Sequence, residues 1–388
     1  MYEARGVSAD KRGVYRALEG TSRSIFAGAF CQAIPDILSN SPEHCLLMHA
    51  DGAGTKSSLA YVYWRETGDI SVFRGLAEDS VVMNLDDLLC VGATGPFALS
   101  NLIGRNAKKV PEEVVGEIVH GYNDFADRLA EFGIVIGPCG GETADLGDLV
   151  RTLVVDSVLT TRMRRENFIN LDNVTPSLSI VGLAGFGQAA WEYRENSGIG
   201  TNGFTAARHE LLGSQYGTIY PESFDPGIAG LAYTGRFELE DPLPGSDMTI
   251  GQALLSPTRT YAPVVRDCLA AVGPAIKGMV HNSGGGLTKS VHFGHGIRYV
   301  KTDLFTPPPI FMVMRREFQL STEEMVRVFN MGQRYEILCE PSEAESICEI
   351  SRSYGVEAKV IGYTEETECA AEVVIELFGE RAEFRRDP

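Results

Sequence analysis

The stretch "HADGAGTKSSLA", His49–Ala60, places an acid, two glycines, a threonine and a lysine directly after the apolar run Leu46, Leu47 and Met48. Cys45–Ala50 reads as a short buried strand ending in this loop, and the first half of the chain alternates strand-like and helix-like segments, the pattern of an α/β layer. A Walker loop requires G-x-x-x-x-G-K-[ST], with glycine immediately before the lysine. Thr55 stands there, so the stretch is not a P-loop. It still gathers a carboxylate (Asp51), flexible backbone donors (Gly52, Gly54, Thr55) and a cation (Lys56) at one strand end. Those parts suit a nucleotide phosphate bridged by magnesium, and they equally suit a glycine turn with a surface lysine.

Downstream, Pro111 to Gly133 reads as an amphipathic helix. Proline sits in its first turn, Val115, Ile118, Tyr122, Phe125 and Leu129 recur at three to four residues, and a glycine stops it. Ile134–Ile136 reads as a strand running into "GPCGGETADLG", and Thr152–Leu159 as another. The polar stretch "RRENFINLDNVTPS" then marks a domain boundary, placed between residues 168 and 169, and Leu178–Leu183 opens the second domain. Beyond it, Ser321 with Glu324 and Ser342 with Glu345 fit the capping-box pattern. The helices they open flank the strand-like "RYEILCE", and Val356–Tyr363 supplies a further strand, which together predict a mixed sheet with helices on one face. Gly213–Asp247, rich in Gly, Pro, Tyr and acids, reads as a surface excursion.

Length and charge bound the function. A chain of 388 residues exceeds one ordinary core, so two domains are expected. With 34 basic and 52 acidic residues the formal charge is −18, which argues against a nucleic-acid groove. No apolar run reaches the length of a membrane span, and "MYEARGVSADKR" lacks the apolar core of a secretory signal. Eight scattered cysteines without a CxxC pair fit reduced thiols and a cytoplasmic location.

Further clusters carry chemistry. In "AEDSVVMNLDDLLCVGATGP" a helix over Asp79–Val91 puts Asp79, Asp86 and Asp87 near one face, where they repel unless a cation or water screens them. All-oxygen donors favour magnesium over softer metals. Asp79 alone is expected on a solvated face, whereas Asp87 enters an apolar segment. In "CGGETAD" the paired glycines Gly140 and Gly141 allow close backbone approach, with Glu142 projecting from a strand end. "SGIGTNGFTAARHELL" (Ser197–Leu212) is a glycine-rich loop opening a helix, a phosphate-binding arrangement. "HNSGGGL" (His281–Leu287) is a second such loop, and its histidine serves either as a proton donor or as a satisfied core residue.

In their order, "DGAGTKSSLA", "MNLDDLLCVGATGP", "GGETAD", "SGIGTNGFTAAR", "LLSPTRTY", "HNSGGGL" and "FNMG" resemble the aminoimidazole ribonucleotide synthetase (PurM) family of phosphoribosylformylglycinamidine cyclo-ligases, from Tyr2 to Tyr363. The resemblance implies an N-terminal α/β domain that pairs with its copy to form a dimeric β-barrel, and a C-terminal α+β domain. It implies ATP-dependent ring closure of formylglycinamidine ribonucleotide in purine synthesis, with ATP, Mg2+ and a homodimer, and no nucleic-acid or membrane partner. Asp51, Asp87 and Glu142 would hold magnesium, Lys56 would meet the triphosphate, and Asp51, Lys56, Asp87 and His281 would form the catalytic set. Gly52, Gly54, Thr55, Gly140 and Gly141 would line the nucleotide, and Ser197, Asn202, Gly203, Ser283, Gly284, Gly285 and Asn330 the substrate.

The chain departs from the family pattern in places. The family's Asn-Asp is Asp86-Asp87, its Pro-His is Ile199-Gly200, and its Gly-Ile-Gly-Met-like segment is Gly332-Gln333-Arg334-Tyr335. Gln188–Asn196 and part of Gly213–Asp247 look inserted. "SIFAGAFCQAIP" corresponds to the family's glycine-rich segment over the nucleotide but carries fewer glycines. Alternatives within the superfamily are a selenophosphate synthetase or thiamine-phosphate kinase type of enzyme, and outside it a non-catalytic nucleotide-binding homologue.

Overall fold

The computed structural model describes residues 24–386; "MYEARGVSADKR" and the Tyr2 end of the resemblance lie outside them. Strands β1 (Ala33–Asp36), β2 (Ser41–Gly52), β3 (Phe97–Arg105), β4 (Ile136–Asp145) and β5 (Leu153–Arg164) form a sheet in the order β1-β2-β5-β3-β4. All neighbours are antiparallel except β3 and β4. A parallel pair needs a crossover, and a helix supplies it here.

Among the described residues, three helices belong to this layer: α1 (Lys56–Thr67), α2 (Arg74–Leu89) and α3 (Glu112–Glu131). The crossover is α3, which begins after Pro111 with Glu112 and Glu113 in its first turn, where acids complement the helix dipole. Its buried stripe is Val114, Ile118, Tyr122, Phe125 and Leu129, so Val114 rather than Val115 takes the inward position. Helix α2 is buried nearly all round, because it packs on β2 and β5, against α3, and against the second domain.

The strand expected at Ile134–Ile136 starts at Ile136 and continues through the Gly-Gly-Glu segment to Asp145. Glu142 therefore lies inside an exposed edge strand and not in a turn beyond its end. The two glycines break the apolar pattern, and the ladder bulges at Cys139–Gly140, between the Leu99–Pro138 and Asn101–Gly141 pairs, before it resumes with Glu142 opposite Leu102.

After β5 the chain passes through two short 3-10 turns, Arg165–Asn167 and Leu171–Asn173, and enters the second sheet at β6 (Ser179–Ala184). A two-residue ribbon follows, β7 (Phe186–Gly187) with β8 (Asn196–Ser197). The sheet itself adds β9 (Ile276–His281), β10 (Ile297–Lys301), β11 (Gln333–Cys339), β12 (Ala358–Glu366), β13 (Ala371–Leu377) and β14 (Glu380–Arg386), in the order β14-β13-β10-β12-β6-β11-β9. It is mixed, with β10 and β13 parallel.

Helix α4 (Phe204–Leu211) follows the first glycine loop of this domain, while α5 (Ala262–Val272) and α6 (Ala344–Ser353) pack together, with α6 lying on β6 and β12. The Ser321–Glu324 capping box forms reciprocally. The Ser342–Glu345 box does not, because Pro341 starts a 3-10 turn that carries the chain to Glu343 before α6 begins.

Gly213–Asp247 is more than a surface excursion. Tyr216, Tyr233, Leu239 and Leu243 are buried, and the Tyr233 ring packs against His209 and Phe224. The segment also ties the two domains together: Tyr61 Oη donates to Glu222 at 2.6 Å and Tyr220 Oη to Glu66 at 2.5 Å. No helix among the described residues is long and apolar enough to cross a membrane.

Candidate active site

Helix α2 organises the domain junction. Its carboxylates at Asp79, Asp86 and Asp87 share the face turned toward the second domain, as the spacing of seven and eight residues requires. Asp79 is fully buried, against the expectation of a solvated face, since its Oδ1 accepts from the Thr258 amide (2.8 Å), the Thr258 hydroxyl (2.6 Å) and Lys56 Nζ (2.9 Å). Asp86 Oδ1 accepts from the Thr260 hydroxyl at 2.6 Å and the Tyr261 amide at 3.3 Å, and its Oδ2 has no partner. Burial pushes the Asp86 carboxyl up to about 7, against the opposing pull of Arg334 and Thr260. Asp79 and Asp86 thus each have their own partners in the second domain. Thr258 and Thr260 come from "LLSPTRTY", a block whose hydroxyl spacing did not announce this role.

Lys56 is placed otherwise than expected. Its side chain is 1% exposed, and its ammonium is committed to Asp79 and to the Ser256 carbonyl at 2.5 Å. A cation locked into a buried pair between domains does not reach a triphosphate, so Lys56 is a structural tie in this arrangement.

Asp87 lies between two imidazoles. His281 Nδ1 approaches Oδ1 at 2.6 Å and His49 Nε2 approaches Oδ2 at 3.1 Å. Burial opposes the Asp87 charge, yet the two histidine bonds hold its carboxyl well below the usual range. His281 is fully buried, and burial, then the nearby Arg334 cation, lowers it to about 4. A neutral ring that donates from Nδ1 to Asp87 and accepts at Nε2 from Arg334 Nη2 satisfies both bonds. His49 Nδ1 meets Asn84 Oδ1 at 2.9 Å, and the Asn84 amide nitrogen in turn holds the carbonyls of Asp51 and Ser157. This network fixes the strand end that carries Asp51.

Asp51 and Glu142 line a hollow of about 640 Å³ that runs across β2, β5, β3 and β4 of the first sheet, together with Gly52, Asn101, Gly141 and Asp156. Gly52 is required there: a Cβ on it would collide with the Asp156 carboxylate. Burial raises Asp156 above the usual carboxylate range, and the Asp51 charge adds to the effect. A hollow edged by exposed oxygen donors fits magnesium in kind, since that ion takes one or two carboxylates alongside water and phosphate. Asp87 is not among the residues that line this hollow, and each of its oxygens accepts from an imidazole. Among the described residues no three His, Cys, Asp or Glu side chains are gathered closely enough to hold a metal.

The glycine loops interlock at the domain junction. Thr55, at the start of α1, meets Thr205 of α4 hydroxyl to hydroxyl at 2.8 Å, so the Asp51–Lys56 loop meets the helix that the Ser197–Gly203 loop opens. Ser197 Oγ is spent on the Ala253 carbonyl, and the Asn202 amide on the Val328 carbonyl. Asn330 donates to the Ile199 carbonyl at 3.2 Å and accepts from the Gly332 amide. Ser197, Asn202 and Asn330 therefore shape the loops. Gly203, Gly284 and Gly285 remain partly exposed, whereas Ser283 is buried. Gly54 is exposed, and so is Gly140, which follows the exposed Cys139 on edge strand β4.

The model of the AIR synthase related protein N-terminal domain matches residues 32–161, and that of the C-terminal domain matches residues 179–374. The chain belongs to the AIR synthase related family. The phosphoribosylformylglycinamidine cyclo-ligase of Methanocaldococcus jannaschii is 27% identical over 320 residues, covering 82% of this chain and 78% of that protein. Among solved structures, a chain of a HypE–HypF complex superposes with a TM-score of 0.56 at 15% identity, covering 97% of this chain and 99% of that one. Phosphoribosylformylglycinamidine synthase II of Thermotoga maritima superposes with a TM-score of 0.55 at 13% identity. It covers 99% of this chain, which spans 50% of the synthase's length. These likenesses give the two-domain fold shared by members of the family.

Proposed function

We propose that this member of the family is an ATP-dependent cyclo-ligase that converts formylglycinamidine ribonucleotide to aminoimidazole ribonucleotide. The observation that carries the reading is the junction itself. Two family domains, in family order, bring the Asp51–Lys56 loop against the helix opened by the Ser197–Gly203 loop, and relatives covering most of the chain are cyclo-ligases. In this reaction the γ-phosphoryl group passes to the formyl oxygen, an internal nitrogen attacks the activated carbon, and phosphate leaves as the ring closes.

The chemistry asks for positioning and charge neutralisation more than for a side-chain nucleophile. Asp51 and Glu142, with Asp156 beside them, would hold magnesium, which when bound would neutralise the triphosphate. The Gly52 and Gly54 amides and Thr55 would face the nucleotide, with Gly140 and Gly141 lining the opposite strand. Gly203 and the Ser283–Gly285 loop would present backbone donors to the substrate. The Asp87–His281 pair orients the inner wall of the cleft.

Neither the selenophosphate synthetase and thiamine-phosphate kinase readings nor the non-catalytic one draws support from the relatives. The open face of the first sheet exposes Met48 (61%) and Leu102 (40%), a surface suited to a second copy of the chain and a shared barrel. Purified protein incubated with formylglycinamidine ribonucleotide, ATP and magnesium should yield aminoimidazole ribonucleotide and ADP; no ADP release sinks the enzyme reading.

A further inference from the structure

Two of the departures from the family pattern meet in space. Arg334, near the start of β11, extends its guanidinium over Gly200, and a Cβ at residue 200 would collide with Arg334 Nη1. Gly200 has φ +67, so glycine is favoured there both by the backbone and by the arginine that occupies its side-chain space.

Arg334 is 2% exposed, yet among the described residues its side chain makes one hydrogen bond, to His281. Of five N–H donors, one goes to His281 Nε2, Nε has no partner, and Nη1 faces the bare backbone of Gly200. Among the described residues no carboxylate forms an ion pair with it. Asp86 feels the charge, but its bonds to Thr260 and Tyr261 are both at Oδ1, and its Oδ2 makes no hydrogen bond to the guanidinium. A buried cation left with open donors is costly unless something else takes them. The surrounding construction holds it in place even so: His281 is fixed by Asp87, Asn282 N donates to the Arg334 carbonyl at 2.7 Å, and Asn330 anchors the Ile199 carbonyl beside Gly200.

We infer that Arg334 is an oxyanion-recognition residue, whose open donors bind a phosphoryl group where the Gly198–Gly203 and His281–Gly286 loops meet. Guanidinium and phosphate match as fork and oxyanion, and exclusion of water strengthens the pair. The phosphoryl group comes either from the nucleotide or from a phosphoribosyl substrate. The inference rests on the cleft of the proposed reaction but not on its chemistry, because binding is read without turnover.

The test is calorimetric titration of the full chain with two probes, the magnesium complex of a non-hydrolysable ATP analogue and ribose 5-phosphate. Arg334→Gln should weaken one of them by roughly 10-fold or more, the scale of a charge-assisted hydrogen bond, and leave the other within about 2-fold. Arg334→Lys should fall between. Loss on the nucleotide arm assigns the terminal phosphate, and loss on the ribose 5-phosphate arm assigns the substrate's phosphate.

Gly200→Ala, which displaces the guanidinium, should reproduce that loss in the wild-type background and add nothing to it in Arg334→Gln. If Arg334→Gln does not fold, Gly200→Ala alone decides. Both probes binding the variants as tightly as wild type would overturn the inference, as would losses that simply add. Turnover without that binding loss would overturn it while leaving the proposed function standing.

Discussion

Lys56 and Asp79 decide between two roles that look identical in a motif. With Lys56 at 1% and Asp79 at 0% exposure, removing either partner strands a buried charge, so Lys56→Met should destabilise the fold by about 3–5 kcal/mol. Adding Asp79→Asn, whose amide oxygen still accepts from Thr258, should restore much of that loss in a denaturant titration. A Lys56→Met protein of wild-type stability that no longer binds nucleotide would return Lys56 to the triphosphate. Asp87 makes the opposite prediction. Asn at this position cannot accept from both His49 and His281, so Asp87→Asn should cut turnover by roughly 100-fold or more through misoriented imidazoles. Circular dichroism should show the fold retained, and near-normal turnover would remove the network from catalysis. The acids were legible from their spacing on α2, but their partners were not. Thr258 and Thr260 lie far away in sequence, and nothing local distinguishes a threonine that caps a buried carboxylate from one that faces water.

At the level of elements, periodicity located α3, which is buried along one stripe, and short apolar runs located β2, β5 and β6. It failed where burial fails: β4 is an exposed edge whose glycines read as a turn. The first hairpin offers a pH test. Asp36, closing β1, accepts from Ser39 and from Arg162 Nε (2.6 Å) on β5, and these bonds hold its carboxyl well below the usual range. A depressed carboxyl stabilises the folded state above the unfolded value of about 4, and that contribution fades as pH falls toward the folded value. Asp36→Asn should therefore lower Tm at pH 7, with a gap that narrows steadily below pH 4; a gap independent of pH would show that the ion pair does not carry it.

Across the whole molecule, the two domains are joined through buried polar ties, Lys56–Asp79–Thr258 and Asp86–Thr260, and clamped by the Tyr61–Glu222 and Tyr220–Glu66 bonds of the inserted segment. Block order in the sequence carried the family and the two-domain plan. The insertion read as surface because its tyrosines are interleaved with glycine, proline and acids, and their burial depends on α1 and α4, which a local window does not see. Sedimentation velocity should give twice the chain mass, and Met48→Glu should shift the protein toward monomer; a wild-type monomer would contradict the shared-barrel surface. The central claim is cyclisation coupled to one ATP. Simultaneous quantification of ADP and aminoimidazole ribonucleotide, with formylglycinamidine ribonucleotide as the varied substrate, tests it most directly. Equal amounts of the two products are predicted, while ADP formed without aminoimidazole ribonucleotide would contradict it.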